Sequence, residues 1–139
     1  MKPKNSFRKC LLCLRISPQK VLEYAHKLYD DPEIAHKVGI LAQRIIREAY
    51  LRNSPQTCGK KPNSLIASAL YISGIMLGNR RTQREIGEVC RVVEPSIRKN
   101  YKLILDVLDF ETLKNLKSEF LRELGLKTQK NEDDLTIIK

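Results

Sequence analysis

Cysteine is scarce in this 139-residue chain: four residues, at 10, 13, 58 and 90, too few and too scattered for the disulfide framework of a small secreted domain. Reduced thiols are expected. Cys10-Leu-Leu-Cys13 has the spacing of half a zinc ribbon. A structural zinc takes four ligands, however, and the other candidates are the single residues Cys58, Cys90, His26 and His36. No metal is expected; the two leucines between the thiols read as a short apolar segment docking on the core. Long apolar runs are missing too. The longest apolar-rich stretch, Leu65 to Leu77, spans thirteen residues and contains Ser68, Ser73 and Gly74, which is too short and too polar for a bilayer. The basic start, Met1 to Lys9, precedes only Cys10 to Leu14 and then Arg15, with no small-residue cleavage site, which argues against a secretory signal. An intracellular protein is expected.

Catalytic patterns are absent as well. There is no Gly-rich phosphate loop and no His-Glu-x-x-His, and the two histidines, His26 and His36, fall on polar helix flanks away from any recognisable nucleophile pattern. Both read as surface residues. Neither enzymatic activity nor a cofactor is expected. Acidic residues are the last shortage: 16 Asp and Glu stand against 26 Lys and Arg, a formal net charge of +10. A chain of this length buries about 68% of its unfolded surface, which suits one core.

No stretch alternates with the period of a half-buried strand, whereas proline and glycine interrupt the chain where helical periodicity also breaks. Ser17-Pro18 opens a first helix carrying Val21, Leu22, Ala25, Leu28 and Tyr29 on one face and ending near Asp30. Asp31-Pro32 opens a second, with Ile34, Val38, Leu41, Ile45, Ile46 and Ala49 at helical spacing, and Asn53 to Gly59 reads as a loop. Lys61-Pro62-Asn63 starts a third, running to about Leu77. Its residues are apolar nearly all round, the mark of a central helix. Thr82-Gln83-Arg84-Glu85 is a capping box that starts a short fourth helix, to about Cys90. After Arg91-Val92-Val93, Glu94-Pro95 begins a fifth, with Ile97, Tyr101, Ile104, Leu105 and Leu108 inward. A sixth runs from Asp109 to Leu124 with Leu113, Leu116, Phe120, Leu121 and Leu124 apolar, and stops at Gly125. That stripe either docks on the chain's own core, the reading preferred here, or presents Leu113, Leu116 and Phe120 to a partner.

Helices four and five have the lengths and spacing of a helix-turn-helix, and basic residues gather there. Between Lys60 and Asn100 lie eight Lys or Arg against three Glu. In such a motif the start of the second helix enters the DNA major groove. Pro95, Ser96, Arg98, Lys99 and Lys102 would be exposed there. Arg98 is placed to donate paired hydrogen bonds to guanine O6 and N7, with Pro95 and Ser96 as neighbouring base contacts. Lys60, Lys61, Arg80, Arg81, Thr82, Gln83, Arg84, Lys99 and Lys102 are the candidates for phosphate contact, which supplies affinity without sequence information. The ordinary alternative is a solvated basic face.

The same segment resembles a known family. Gly59-Lys60-Lys61-Pro62-Asn63-Ser64-Leu65-Ile66-Ala67-Ser68-Ala69-Leu70-Tyr71-Ile72 is similar to the signature G-K-x-P-x-x-L-x-A-A-A-L-Y-I of the cyclin-like repeat in archaeal transcription factor B and eukaryotic transcription factor IIB. Thr82 to Val89 and Glu94 to Lys102 follow in the family's order, resembling T-Q-R-E-V-A-E-V and E-V-T-I-R-N-R-Y-K. The resemblance covers about Pro18 to Leu108 and implies an all-α, cyclin-like five-helix bundle, specifically the second of the family's two repeats. It further implies a helix-turn-helix that reads promoter DNA beside the TATA box together with TATA-binding protein, with Arg98 on the family's base-contacting arginine. Pro95 stands where the family usually has Val. The family's zinc ribbon and first repeat have no counterpart in the seventeen residues before the repeat.

The expected organisation is a basic segment 1–17, a cyclin-like repeat 18–108, an extra C-terminal helix 109–125 and a flexible tail 126–139. The expected function is a DNA-binding initiation factor or regulator of the transcription factor B type, without a polymerase-recruiting ribbon. Its expected partners are promoter DNA and TATA-binding protein, with RNA polymerase or another transcription factor beyond them and no membrane. The expected location is cytoplasmic and chromosome-associated, or nuclear in a eukaryotic source. The rival is a cyclin-fold protein-protein adaptor without specific DNA binding.

Overall fold

Proline sets most of the helix starts. In the computed structural model, which describes residues 17–52 and 61–125, α1 (Pro18–Leu28), α2 (Pro32–Arg52) and α3 (Pro62–Met76) each begin on proline. At that position the missing amide costs nothing and the ring presets φ. Asp31 Oδ1 accepts the Glu33 amide at 2.9 Å ahead of α2. The next helix, α4 (Gln83–Cys90), starts on the complete capping box: Thr82 accepts from the Glu85 amide while the Glu85 carboxylate accepts from the Thr82 amide. Helix α5 (Glu94–Val107) carries Pro95 in its first turn, and α6 (Phe110–Glu123) is capped by Asp109, which accepts the Thr112 amide at 2.7 Å. Among the described residues every regular element is a helix.

The bundle is organised around α3. Every residue from Ser64 to Met76 is buried, so α3 has no solvent face and is wrapped by α2, α4 and α5. Its polar members satisfy themselves locally: Ser68 Oγ lies 2.8 Å from the Ser64 carbonyl and 3.2 Å from that of Ile97, and Ser73 donates to Leu70 O at 3.2 Å. Small residues let α5 come close at Ser68, and Tyr71 meets the Tyr101 ring at 5.2 Å between centroids. Leu65, Ile66, Leu70, Ile72, Ile86, Ile97 and Ile104 are at most 1% exposed. Each such side chain contributes about 1.5–3 kcal/mol by leaving water.

Helix α1 packs on α2 and α4. It ends at Leu28, short of Asp30, and Tyr29 is its buried cap. The Tyr29 hydroxyl donates to the Asn79 carbonyl at 2.5 Å and ties α1 to the loop after α3. This needs Gly74, where a Cβ would stand 2.6 Å from that hydroxyl.

Helix α6 lies on α2. Leu113, Leu116, Phe120 and Leu121 are buried, so the stripe docks on the chain's own core and is not offered to a partner. Arg44 of α2 clamps the end of α6 with two bonds to the Glu123 carboxylate, at 2.6 and 2.7 Å, and lies 5.3 Å over the Phe120 ring. Leu124, grouped with this stripe by periodicity, is instead 42% exposed, because the helix ends at Glu123. Likewise α3 stops at Met76, with Leu77 as its cap. His26 and His36 are exposed. The 53–59 loop, the 126–139 tail, Cys10, Cys13 and Cys58 lie outside the described residues.

Candidate nucleic-acid interface

Two helices and a three-residue turn build the candidate interface. Helix α4 ends on Arg91, whose backbone is left-handed (φ 59°, ψ 49°). The Arg91 and Val92 amides both point back to the Gly87 carbonyl, Val92 at 2.9 Å. Gly87 is the point of closest approach, since a Cβ there would run into the Val92 carbonyl oxygen. The turn is thereby folded flat against α4. On its other side Val93 caps α5, whose first turn carries Glu94, where an acidic side chain complements the helix dipole. Ile97 is fully buried and holds α5 to the core. A hollow of about 360 Å3 opens at the turn, lined by Arg84, Gly87, Glu88, Val92, Val93, Glu94 and Pro95. Val93 there is 67% exposed, the barest large apolar residue among the described ones.

The predicted site residues fall as follows. Pro95, Arg98, Lys99 and Lys102 are exposed on α5, and Ser96 beside them is half-buried rather than exposed. Arg84 is exposed on α4 and stands 4.0 Å from Glu88 in a loose i,i+4 pair. Lys61 is exposed at the start of α3, and Lys60 lies outside the described residues. Seven Lys or Arg and three Glu lie between Arg80 and Lys102. Of those glutamates, Glu85 is engaged by Thr82, which holds its carboxyl below the usual range, first through the backbone amide and then through the hydroxyl.

Four candidates are more constrained than sequence suggested. Arg81 is half-buried: its guanidinium lies 4.7 Å over the Tyr29 ring, and its Nε is buried without a hydrogen-bond partner. Only part of that cation faces solvent, because the ring and the α3–α4 loop cover the rest. The Thr82 hydroxyl is used by the capping box, within 3.1 Å of Glu85 on both counts. Gln83 is half-buried and accepts a 3.2 Å bond from Arg98 Nη1. Arg80, exposed, reaches the Tyr71 hydroxyl at 3.3 Å.

Sequence reasoning missed Tyr29 as the platform for Arg81, Gln83 as the partner of Arg98, and the left-handed Arg91. No local signal marks them, since each depends on a contact or backbone angle set by the assembled bundle.

Cys90 is buried at the end of α4, its carbonyl accepting from Asn63 at 3.2 Å. Burial pushes its thiol up to about 12, which disfavours the thiolate at neutral pH. Among the described residues no group of three His, Cys, Asp or Glu is arranged to hold a metal. No described helix is long and apolar enough to cross a membrane.

The Transcription factor TFIIB repeat family model matches residues 16–107. The chain belongs to that family. Transcription initiation factor IIB 1 of Thermococcus kodakarensis is 39% identical over 111 residues, covering 77% of this chain and 36% of the relative. Transcription initiation factor IIB of Pyrococcus horikoshii is 38% identical over 108 residues, covering 75% and 35%. The factor of the same name from Methanosphaerula palustris is 36% identical over 102 residues, covering 73% and 30%. The chain thus spans about a third of the length of these relatives. Its helices α1 to α5 coincide with the matched TFIIB repeat, and α6 lies beyond it.

Proposed function

We propose that this chain is a DNA-binding unit of the TFIIB type that contacts promoter DNA through α4 and α5, in concert with TATA-binding protein. The observation that carries the reading is the coincidence, in a TFIIB repeat, of an exposed α5 start with Arg98, Lys99 and Lys102 free of acidic partners among the described residues. Docked as helix-turn-helix units dock, α5 would enter the major groove and α4 would span the backbone. Arg98 is then the base reader, with Pro95 and Ser96 beside it. Arg84, Lys99, Lys102, Lys61 and the solvent-facing parts of Arg80 and Arg81 supply phosphate neutralisation. In this reading residues 18–108 are the DNA-binding repeat and the 109–125 helix buttresses α2, while RNA polymerase or a further transcription factor engages the assembled complex.

The test is a gel-shift titration on a TATA-containing promoter duplex, with and without TATA-binding protein, comparing the native chain with Arg98→Ala. Binding that requires TATA-binding protein and falls at least tenfold in the variant, about 1.4 kcal/mol, supports the proposal. Binding that is weak, salt-labile and indifferent to Arg98 refutes it and leaves the helix pair as a protein-binding scaffold.

A further inference from the structure

We infer that Gln83 is a positioning residue for Arg98, setting sequence discrimination rather than contacting phosphate. The inference rests on Arg98 as base reader and adds how its side chain is aimed. Arg98 has an obvious partner on its own helix: Glu94 lies four residues earlier, the spacing at which opposite charges on a helix meet. The structure does not use it. Arg98 Nη1 instead donates across the motif to Gln83 Oε1, 3.2 Å away at the first position of α4.

The choice of partner matters chemically. A carboxylate would neutralise the guanidinium and compete with DNA, whereas a neutral amide oxygen fixes one nitrogen and leaves the positive charge intact. Nη2 and Nε, one edge of the guanidinium fork, make no bond among the described residues. That edge is able to address guanine O6 and N7 together. Gln83 is itself held, being half-buried between the capped Thr82 and Arg84 at a helix start whose backbone is locked by the capping box. The bond therefore joins a rigid point on α4 to a long, flexible side chain on α5. It lowers the rotamer freedom that Arg98 would otherwise lose on binding.

The test is a double-mutant cycle on two probes: a TATA-containing promoter duplex with TATA-binding protein, and the same duplex with the base pairs upstream of the TATA box scrambled. The native chain, Gln83→Ala, Arg98→Ala and the double variant are titrated on both, with thermal unfolding checked for each. Gln83→Ala is expected to lower the promoter-to-scrambled affinity ratio about fivefold, in line with the coupling of one hydrogen-bonded pair, and to do nothing further once Arg98 is gone. Gln83→Glu, which turns the neutral acceptor into a carboxylate, is expected to pair with the Arg98 guanidinium, weakening both probes and lowering the promoter-to-scrambled ratio as well. Equal loss on both probes in Gln83→Ala, or an undiminished effect in the Arg98→Ala background, would overturn the inference and return Gln83 to the phosphate contacts. An Arg98→Ala variant that keeps the native ratio would instead overturn the base-reading assignment, and this inference with it.

Discussion

Arg91 offers the sharpest test of how the turn is built, because two physical arguments about it point in opposite directions. It is the only described residue other than glycine with a positive φ, at 59°. An L residue there holds its Cβ against its own carbonyl, at a cost of roughly 1–2 kcal/mol. Glycine at the same place escapes that cost but adds unfolded-state freedom worth roughly 0.5–1 kcal/mol. The first effect wins, so Arg91→Gly should stabilise the fold by about 0.5–1 kcal/mol and raise Tm by about 2–5 °C. Nothing offsets the gain, since the Arg91 side chain is exposed and has no ion pair among the described residues. The same substitution removes one exposed cation from the turn between α4 and α5, next to the proposed DNA contacts. The slope of log affinity against log salt should therefore shrink by about 0.9. The assay is urea unfolding followed by circular dichroism, paired with DNA titrations at several salt concentrations. Arg91→Lys, which keeps both strain and charge, serves as the reference. A more stable, weaker binder is expected; an Arg91→Gly variant no more stable than Arg91→Lys refutes the claim that strain is stored at the turn.

Other outcomes follow from the packing and the caps. Ile97→Ala should cost about 2–5 kcal/mol in denaturant unfolding, because truncating a fully buried side chain of α5 leaves a cavity. Thr82→Ala removes the capping box and should cost about 1 kcal/mol, read the same way. The Glu85, Asp109 and Glu123 carboxyls are all held below their ordinary values of 4.5, 3.8 and 4.5, by Thr82, Thr112 and Arg44 respectively. Their contribution is complete above those values and is lost as the pH falls through the lowered ones, so Tm should drop progressively on acidification below about pH 4.5. Tyr29 works in the other sense: burial pushes its phenol up to about 12, so stability should be lost as pH rises above 10 toward that value, and Tyr29→Phe should shrink this alkaline limb, leaving the share of the buried Cys90 thiol, itself pushed up to about 12. The Cys90 thiol should react with a disulfide reagent only at the rate of unfolding, and a fast phase traceable to Cys90 would contradict its burial.

Much of the architecture was legible because its causes are local. Pro18, Pro32, Pro62 and the Thr82 box announce helix starts through geometry contained within a few residues. The run from Leu65 to Met76, apolar nearly all round apart from Ser68 and Ser73, has no broad polar side to turn outward, so it must be central. The inward face of α5, from Ile97 through Leu108, follows from the 3.6-residue period alone. Charge placed the basic residues on one stretch of chain, and three motifs in order placed that stretch in its family. What composition and periodicity did not carry was how much freedom each basic side chain keeps. Arg81 and Arg84 are three residues apart and look alike in sequence, yet one is stacked on Tyr29 and the other is in solvent.

Local spacing and side-chain type determined by themselves which segments are helical, which face of each is buried and that the chain is basic where its helix pair lies, because helix periods and caps depend only on near neighbours. The tertiary structure alone decided which cations are free, which acceptor holds Arg98, how Arg91 closes the turn and that the stripe of α6 is spent on α2, because those outcomes require residues distant in sequence to meet at distances that only the packed bundle sets.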